Sequence, residues 1–104
     1  MTVRHIVCWK LNGETAEERA TQAADIEAKL RELPATVPGI VAFDVFRNEY
    51  NGDVNWDVAL VSDHRDKAAL DEYAVHPDHV AVAGFIKERV AQRSGVDAEL
   101  TGAK

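Results

Sequence analysis

The chain has a single cysteine, Cys8, so it can form no internal disulfide. Cys8 sits mid-strand among apolar neighbours, the setting of a buried structural thiol rather than a reactive one. A basic cluster is also missing. Twelve Lys and Arg are scattered against eighteen Asp and Glu, giving a net charge of −6. That balance leaves no patch to neutralise phosphates and argues against nucleic acid as a partner. It also mildly repels an anionic membrane. No apolar run approaches transmembrane length and no signal-peptide core opens the chain, so no membrane association and a cytoplasmic setting are expected. No Gly-rich phosphate loop or dinucleotide fingerprint occurs, and no nucleotide cofactor is expected. There is no repeat, linker or low-complexity tract. The 104 residues are read as one domain, residues 1–104.

Histidine is scarce as well. Of the four in the chain, two fall in the block Tyr73-Ala74-Val75-His76-Pro77-Asp78-His79-Val80. A phenol and two imidazoles there surround a proline that restarts a helix. Tyr and His share proton-transfer work near neutral pH more readily than other side chains. The block is therefore the first candidate for chemistry.

The remaining pattern sets the fold. Val3 to Leu11 reads as a strand with Val3, His5, Val7, Trp9 and Leu11 on one face and Ile6 and Cys8 on the other. Thr15-Ala16-Glu17-Glu18 is a capping box, and Ala23, Ile26, Leu30 and Leu33 continue as a helical stripe that Pro34 ends. Glu14, Glu17 and Glu18 read as a solvated first turn that suits the helix dipole. Pro38-Gly39 is a turn. Ile40 to Asn48 reads as the second strand, with Val41, Phe43 and Val45 opposite Ile40, Ala42 and Phe46. Asn51-Gly52-Asp53 signals a hairpin turn into a third strand over Asn55 to Ser62. Asp66 caps a short helix to about Tyr73, and Pro77 opens another that continues to about Val90. Ser94-Gly95 precedes a last strand near Val96 to Leu100. Thr101 to Lys104 are expected to fray.

This βαββαβ order predicts a ferredoxin-like α+β sandwich on an antiparallel four-stranded sheet. Its helices cover one sheet face, yet the first two strands are apolar on both. The same face of a second copy is the simplest cover, so a homodimer packed sheet to sheet is expected.

Arg4-His5-Ile6-Val7, the turn Val37-Pro38-Gly39-Ile40, the strand Trp56-Asp57-Val58-Ala59-Leu60-Val61-Ser62 and the Tyr73–Val80 block together resemble the stress-responsive α/β-barrel (Dabb) family. The resemblance runs from about Val3 to Leu100, and its specific part is Tyr-x-x-His-Pro-x-His behind an N-terminal strand histidine. It implies subunits whose sheets pair into a dimeric α+β barrel. Some members of that family are polyketide cyclases that close a poly-β-keto chain by aldol condensation without cofactor or metal. Carried over, the catalytic pair is Tyr73 and His79, and the pocket histidine is His5. Two departures bear on the substrate. Asp57 stands where the plant cyclase has a histidine, and Trp9 puts a large ring on the His5 face.

Each candidate has a plainer reading beside the chemical one. His79, read as a general base, would equally pack at a helix start against a backbone carbonyl. Tyr73, read as its acid partner, lies one helical turn from Leu70 and suits a core place with a satisfied hydroxyl. His5 and Trp9 are candidate substrate-binding residues or ordinary core. His76, before Pro77, is read as a substrate-binding candidate, with a structural cap as the plainer role. Asp57 needs a partner if buried. His64 falls in a polar turn and reads as plain surface. His76-x-x-His79 shares a helix face, but nothing completes a known zinc spacing, so no metal is expected. The functional reading is a cofactor-free protein with an intramonomer pocket for a small carbonyl or phenolic compound, using Tyr73 and His79 in an aldol or isomerase step. The alternatives are a non-catalytic stress-related dimeric barrel, and a cofactor-free monooxygenase-like activity suggested by Trp9 and Trp56.

Overall fold

Residues 1–101 are described by a computed structural model. The expected fraying concerns mainly residues 102–104, which lie outside the described residues. The elements are β1 (Val3–Leu11), α1 (Ala16–Leu30), a 3-10 turn (Leu33–Ala35), β2 (Ile40–Arg47), β3 (Val58–His64), α2 (Lys67–Val75), α3 (Pro77–Lys87) and β4 (Val90–Glu99). The four strands form one antiparallel sheet in the order β2-β3-β1-β4. The chain thus has the expected ferredoxin-like βαββαβ fold, with the second helical region broken in two by Pro77.

Local chemistry explains the elements. Thr15 Oγ1 accepts from the Glu18 amide at 3.0 Å, a cap of a kind that contributes about 1 kcal/mol. The return arm of the box lands one residue early, on the Glu14 amide at 2.9 Å. Gly39 holds φ +84°, and a Cβ there would stand 2.7 Å from Ala69 Cβ, so the β2 entry needs glycine twice over. Asp66 Oδ1 caps α2 through the Ala69 amide at 2.8 Å.

The register sorts the side chains into two faces. Under the helices run the rows Phe43–Ser62–His5–Asp97, Val45–Leu60–Val7–Gly95 and Arg47–Val58–Trp9–Arg93. Val7, Leu60, Ile26, Leu30 and Leu33 are all at 2% exposure or less. Each contributes about 1.5–3 kcal/mol by leaving water. On the opposite face lie the rows Asp44–Val61–Ile6–Val96 and Phe46–Ala59–Cys8–Ser94. No helix among the described residues covers these, and Phe46 and Val96 are more than half exposed. Cys8 is half-buried there.

Four expectations are corrected. The register slips between Ile40 and Ala42, so Ile40 rather than Val41 joins Phe43 and Val45 on the core side. Val41 is 64% exposed. The β2–β3 turn is longer than a tight hairpin. Asn51 takes φ 55° and its carbonyl accepts from the Val54 and Asn55 amides, so the third strand starts at Val58. That strand then runs on to His64, two residues past the expected end. Lastly, α3 stops at Lys87 and β4 is ten residues long, with Ser94-Gly95 inside it rather than before it.

Candidate functional site

The site begins with β1. His5 faces the helices, and the register sets Asp97 of β4 directly opposite. Its Nδ1 donates to the Asp97 carboxylate. A carboxylate only accepts, so His5 carries a proton on Nδ1. From α2, Tyr73 projects into the same layer at 2% exposure. Pro77 then turns the chain, and α3 returns His79 against Tyr73 with ring centroids 4.3 Å apart. His79 Nδ1 lies 3.1 Å from the Ala74 carbonyl oxygen. That nitrogen must donate, which leaves Nε2 with the lone pair.

His64, expected on the surface, belongs to this cluster. It is fully buried, its Nε2 lies 3.0 Å from Ser62 Oγ, and its ring centroid is 4.8 Å from that of Tyr73. The missed signal was periodicity. Val58, Leu60, Ser62 and His64 alternate on one face, so the strand's inward pattern runs through the supposed turn. Three histidines therefore surround one phenol, with His5 6.1 Å from it by ring centroids.

Burial sets the proton states. It pushes the Tyr73 phenol well above its ordinary value of about 10, so the ring stays a donor. Burial is also the largest cause holding His79 low, with the charges of His5, Arg93 and His76 adding and the Ala74 carbonyl opposing. His64 is lowered mainly by burial, then by His5, against the raising effect of Asp63 and Asp97. Tyr73 Oη and His64 Nδ1 are buried with no hydrogen-bond partner among the described residues. A buried polar group left so costs about 1–3 kcal/mol.

A cavity of about 450 Å³ opens between the sheet and α3, lined by His5, Trp9, Tyr73, His79, Lys87 and Arg93 with apolar residues around them. Trp9 forms wall and does not plug it, at 6% exposure against the core. A second cavity of about 550 Å³ shares His5, Tyr73, His79 and Arg93 and adds the charged residues Lys67, Asp71, Asp97 and Glu99. The structure thus brings His5, Trp9, Tyr73 and His79 together. His76 stands apart. Its Nδ1 accepts from the Asp78 amide at 3.1 Å, capping α3, and it lines neither cavity. Asp57 is also remote, since its Oδ2 accepts from the Leu11 amide at 2.8 Å and fastens the end of β1. Among the described residues no three His, Cys, Asp or Glu are grouped to hold a metal. No helix among them is long and apolar enough to cross a membrane.

Fold and site together define a ferredoxin-like α+β domain with a phenol and histidine cluster beneath its helices. The chain belongs to the stress-responsive A/B barrel domain (Dabb) family, whose profile matches residues 3–100. It is similar to a dimeric ferredoxin-like protein of unknown function from Bacteroides fragilis, 31% identical over 95% of this chain and 96% of that one, with a TM-score of 0.85. A dimeric ferredoxin-like protein of unknown function from Thermobifida fusca is 27% identical over 96% and 92%, with a TM-score of 0.83. Hydroxynitrile lyase from Passiflora edulis is 14% identical over 99% and 96%, with a TM-score of 0.81, a likeness of fold alone. No curated protein matches the chain.

Proposed function

We propose that the chain binds a small, partly apolar carbonyl compound in the cavity beside α3 and acts on it without a cofactor, with Tyr73 and His79 as an acid–base pair. The observation that carries this is the pair itself. A protonated phenol with no hydrogen-bond partner among the described residues lies against a neutral imidazole whose Nε2 faces away from its Ala74 bond, at the wall of an apolar cavity. Nε2 of His79 takes a proton from carbon α to a carbonyl. Tyr73 donates to the enolate oxygen that forms. The enolate carbon then bonds to a second carbonyl carbon of the same chain, and His79 returns the proton to the resulting alkoxide. Such groups contribute about 10²–10⁴-fold, enough for an already acidic 1,3-dicarbonyl. The class is polyketide-cyclase-like aldol or isomerase chemistry.

The dimeric relatives and the uncovered apolar rows support a homodimer paired through the open sheet face. A non-catalytic reading draws on the 2% exposure of Tyr73, which suits a core residue. A thermal-shift screen of wild type and His79→Ala against β-keto acids, phenolic acids and quinols separates the two. At about 100 Kd a ligand adds roughly 2.7 kcal/mol. A carbonyl compound that raises the wild-type melting point and not the mutant's supports the acid–base reading. No ligand-induced shift in either protein supports the non-catalytic one.

A further inference from the structure

The cavity beside α3 is charged in an unexpected sense. Its lining holds two cations, Lys87 and Arg93, and no Asp or Glu. The chain as a whole has eighteen acids against twelve bases. Of its seven arginines, Arg93 alone has a side chain with no hydrogen bond or ion pair among the described residues. The nearby Asp97 carboxylate is taken by His5.

The backbone makes room for this cation. Gly95 lies mid-strand, where glycine weakens a sheet and marks a close approach. A Cβ built there would stand 3.3 Å from Arg93 Nη1 and 3.6 Å from Nη2. The guanidinium therefore folds over bare backbone toward the row of His5, at the junction of the two cavities. Its charge also reaches His79.

We infer that the cavity takes its ligand as an anion, a small 3-oxo carboxylate whose carboxylate pairs with Arg93 over Gly95 while its apolar chain lies against Trp9, Val7 and Leu60. This rests on the proposed carbonyl-binding role of the same cavity. A guanidinium presents paired donors that match a carboxylate fork. With the carboxylate so held, the 3-oxo group is directed toward Tyr73 and His79. Arg93 acts here as a substrate-binding residue and Gly95 as the one that shapes its seat.

The test is calorimetric titration of wild type with 3-oxooctanoate and with its methyl ester. The acid is expected to bind about tenfold tighter or more, and its affinity to fall with added salt while the ester's does not. Arg93→Gln should erase the preference of acid over ester and the salt dependence of acid binding. Gly95→Leu, whose side chain crowds the guanidinium, should weaken acid binding in the same direction. Equal binding of acid and ester, both lost in His79→Ala, would overturn the anion inference and leave the carbonyl pocket standing. No binding of either probe to wild type would overturn both. Salt dependence on wild type decides the matter even if a variant fails to fold.

Discussion

One sheet presents two faces with opposite characters. Under the helices, His5, His64, Tyr73 and His79 gather around a cavity, with two buried polar atoms lacking partners among the described residues. On the open face, Ile6, Val61, Ala59 and Phe46 lie in rows beside one forked ion pair, in which Arg4 Nε and Nη2 donate to Asp63 at 2.8 and 2.9 Å. The same strands build both. Odd residues of β1 feed the cavity and even residues feed the open face, because a strand turns successive side chains to opposite sides. The covered face is under-satisfied in polar terms and the open face is under-covered in apolar terms. The first deficit suits a ligand and the second suits another copy of the chain.

Neighbouring residues on β3 test the division hardest. Leu60→Ala should cost about 2–5 kcal/mol in urea unfolding, because Leu60 is 1% exposed in the core. Val61→Asp, one residue on, should instead convert a dimer into the 11.5 kDa chain in light scattering, since a charge would be buried in the pairing surface. If Val61→Asp leaves the mass unchanged, the open face is not the pairing surface.

On the covered face, Tyr73→Phe separates chemistry from packing. Turnover should fall about 10²-fold or more. Melting should rise, with a gain of about 1 kcal/mol, because the change removes a buried hydroxyl that has no partner. A purely structural tyrosine would show no loss of turnover or binding.

The faces should also titrate apart. The folded values of His64 and His79 lie below the ordinary histidine value, so the unfolded chain binds more protons. Their contribution is complete above about pH 6.5 and is lost as pH falls from there. Asp63 is lowered by its hydrogen bonds from Arg4, so its contribution persists above about pH 4 and is lost below it. Urea midpoints against pH should show both windows. His64→Phe should flatten the upper one, and Arg4→Gln the lower one, which is the smaller effect because the Arg4 side of the pair is solvated.

Much of this was readable from the residues alone. β1 alternates cleanly, the Thr15 box marks its helix, and Tyr73 to His79 carries its own break at Pro77. What stayed hidden depends on long-range pairing. His64 follows Asp63 and precedes Arg65, so local polarity hid a strand end that only its pairing with Val3 makes buried. The slip after Ile40 is invisible without its partner strand. Gly95 resembles a break in sequence, and its purpose emerges only when the Arg93 guanidinium lies across it. Asp57 likewise gains its role from the Leu11 amide, forty-six positions away.

The most direct test of the central claim is a long-range proton–nitrogen NMR spectrum of histidine-labelled protein at pH 7, recorded with and without 3-oxooctanoate. The account predicts a neutral His79 with its proton on Nδ1, and an Nε2 resonance that moves when the acid is added. A doubly protonated His79, a proton resting on Nε2, or an Nε2 signal indifferent to the acid would contradict it.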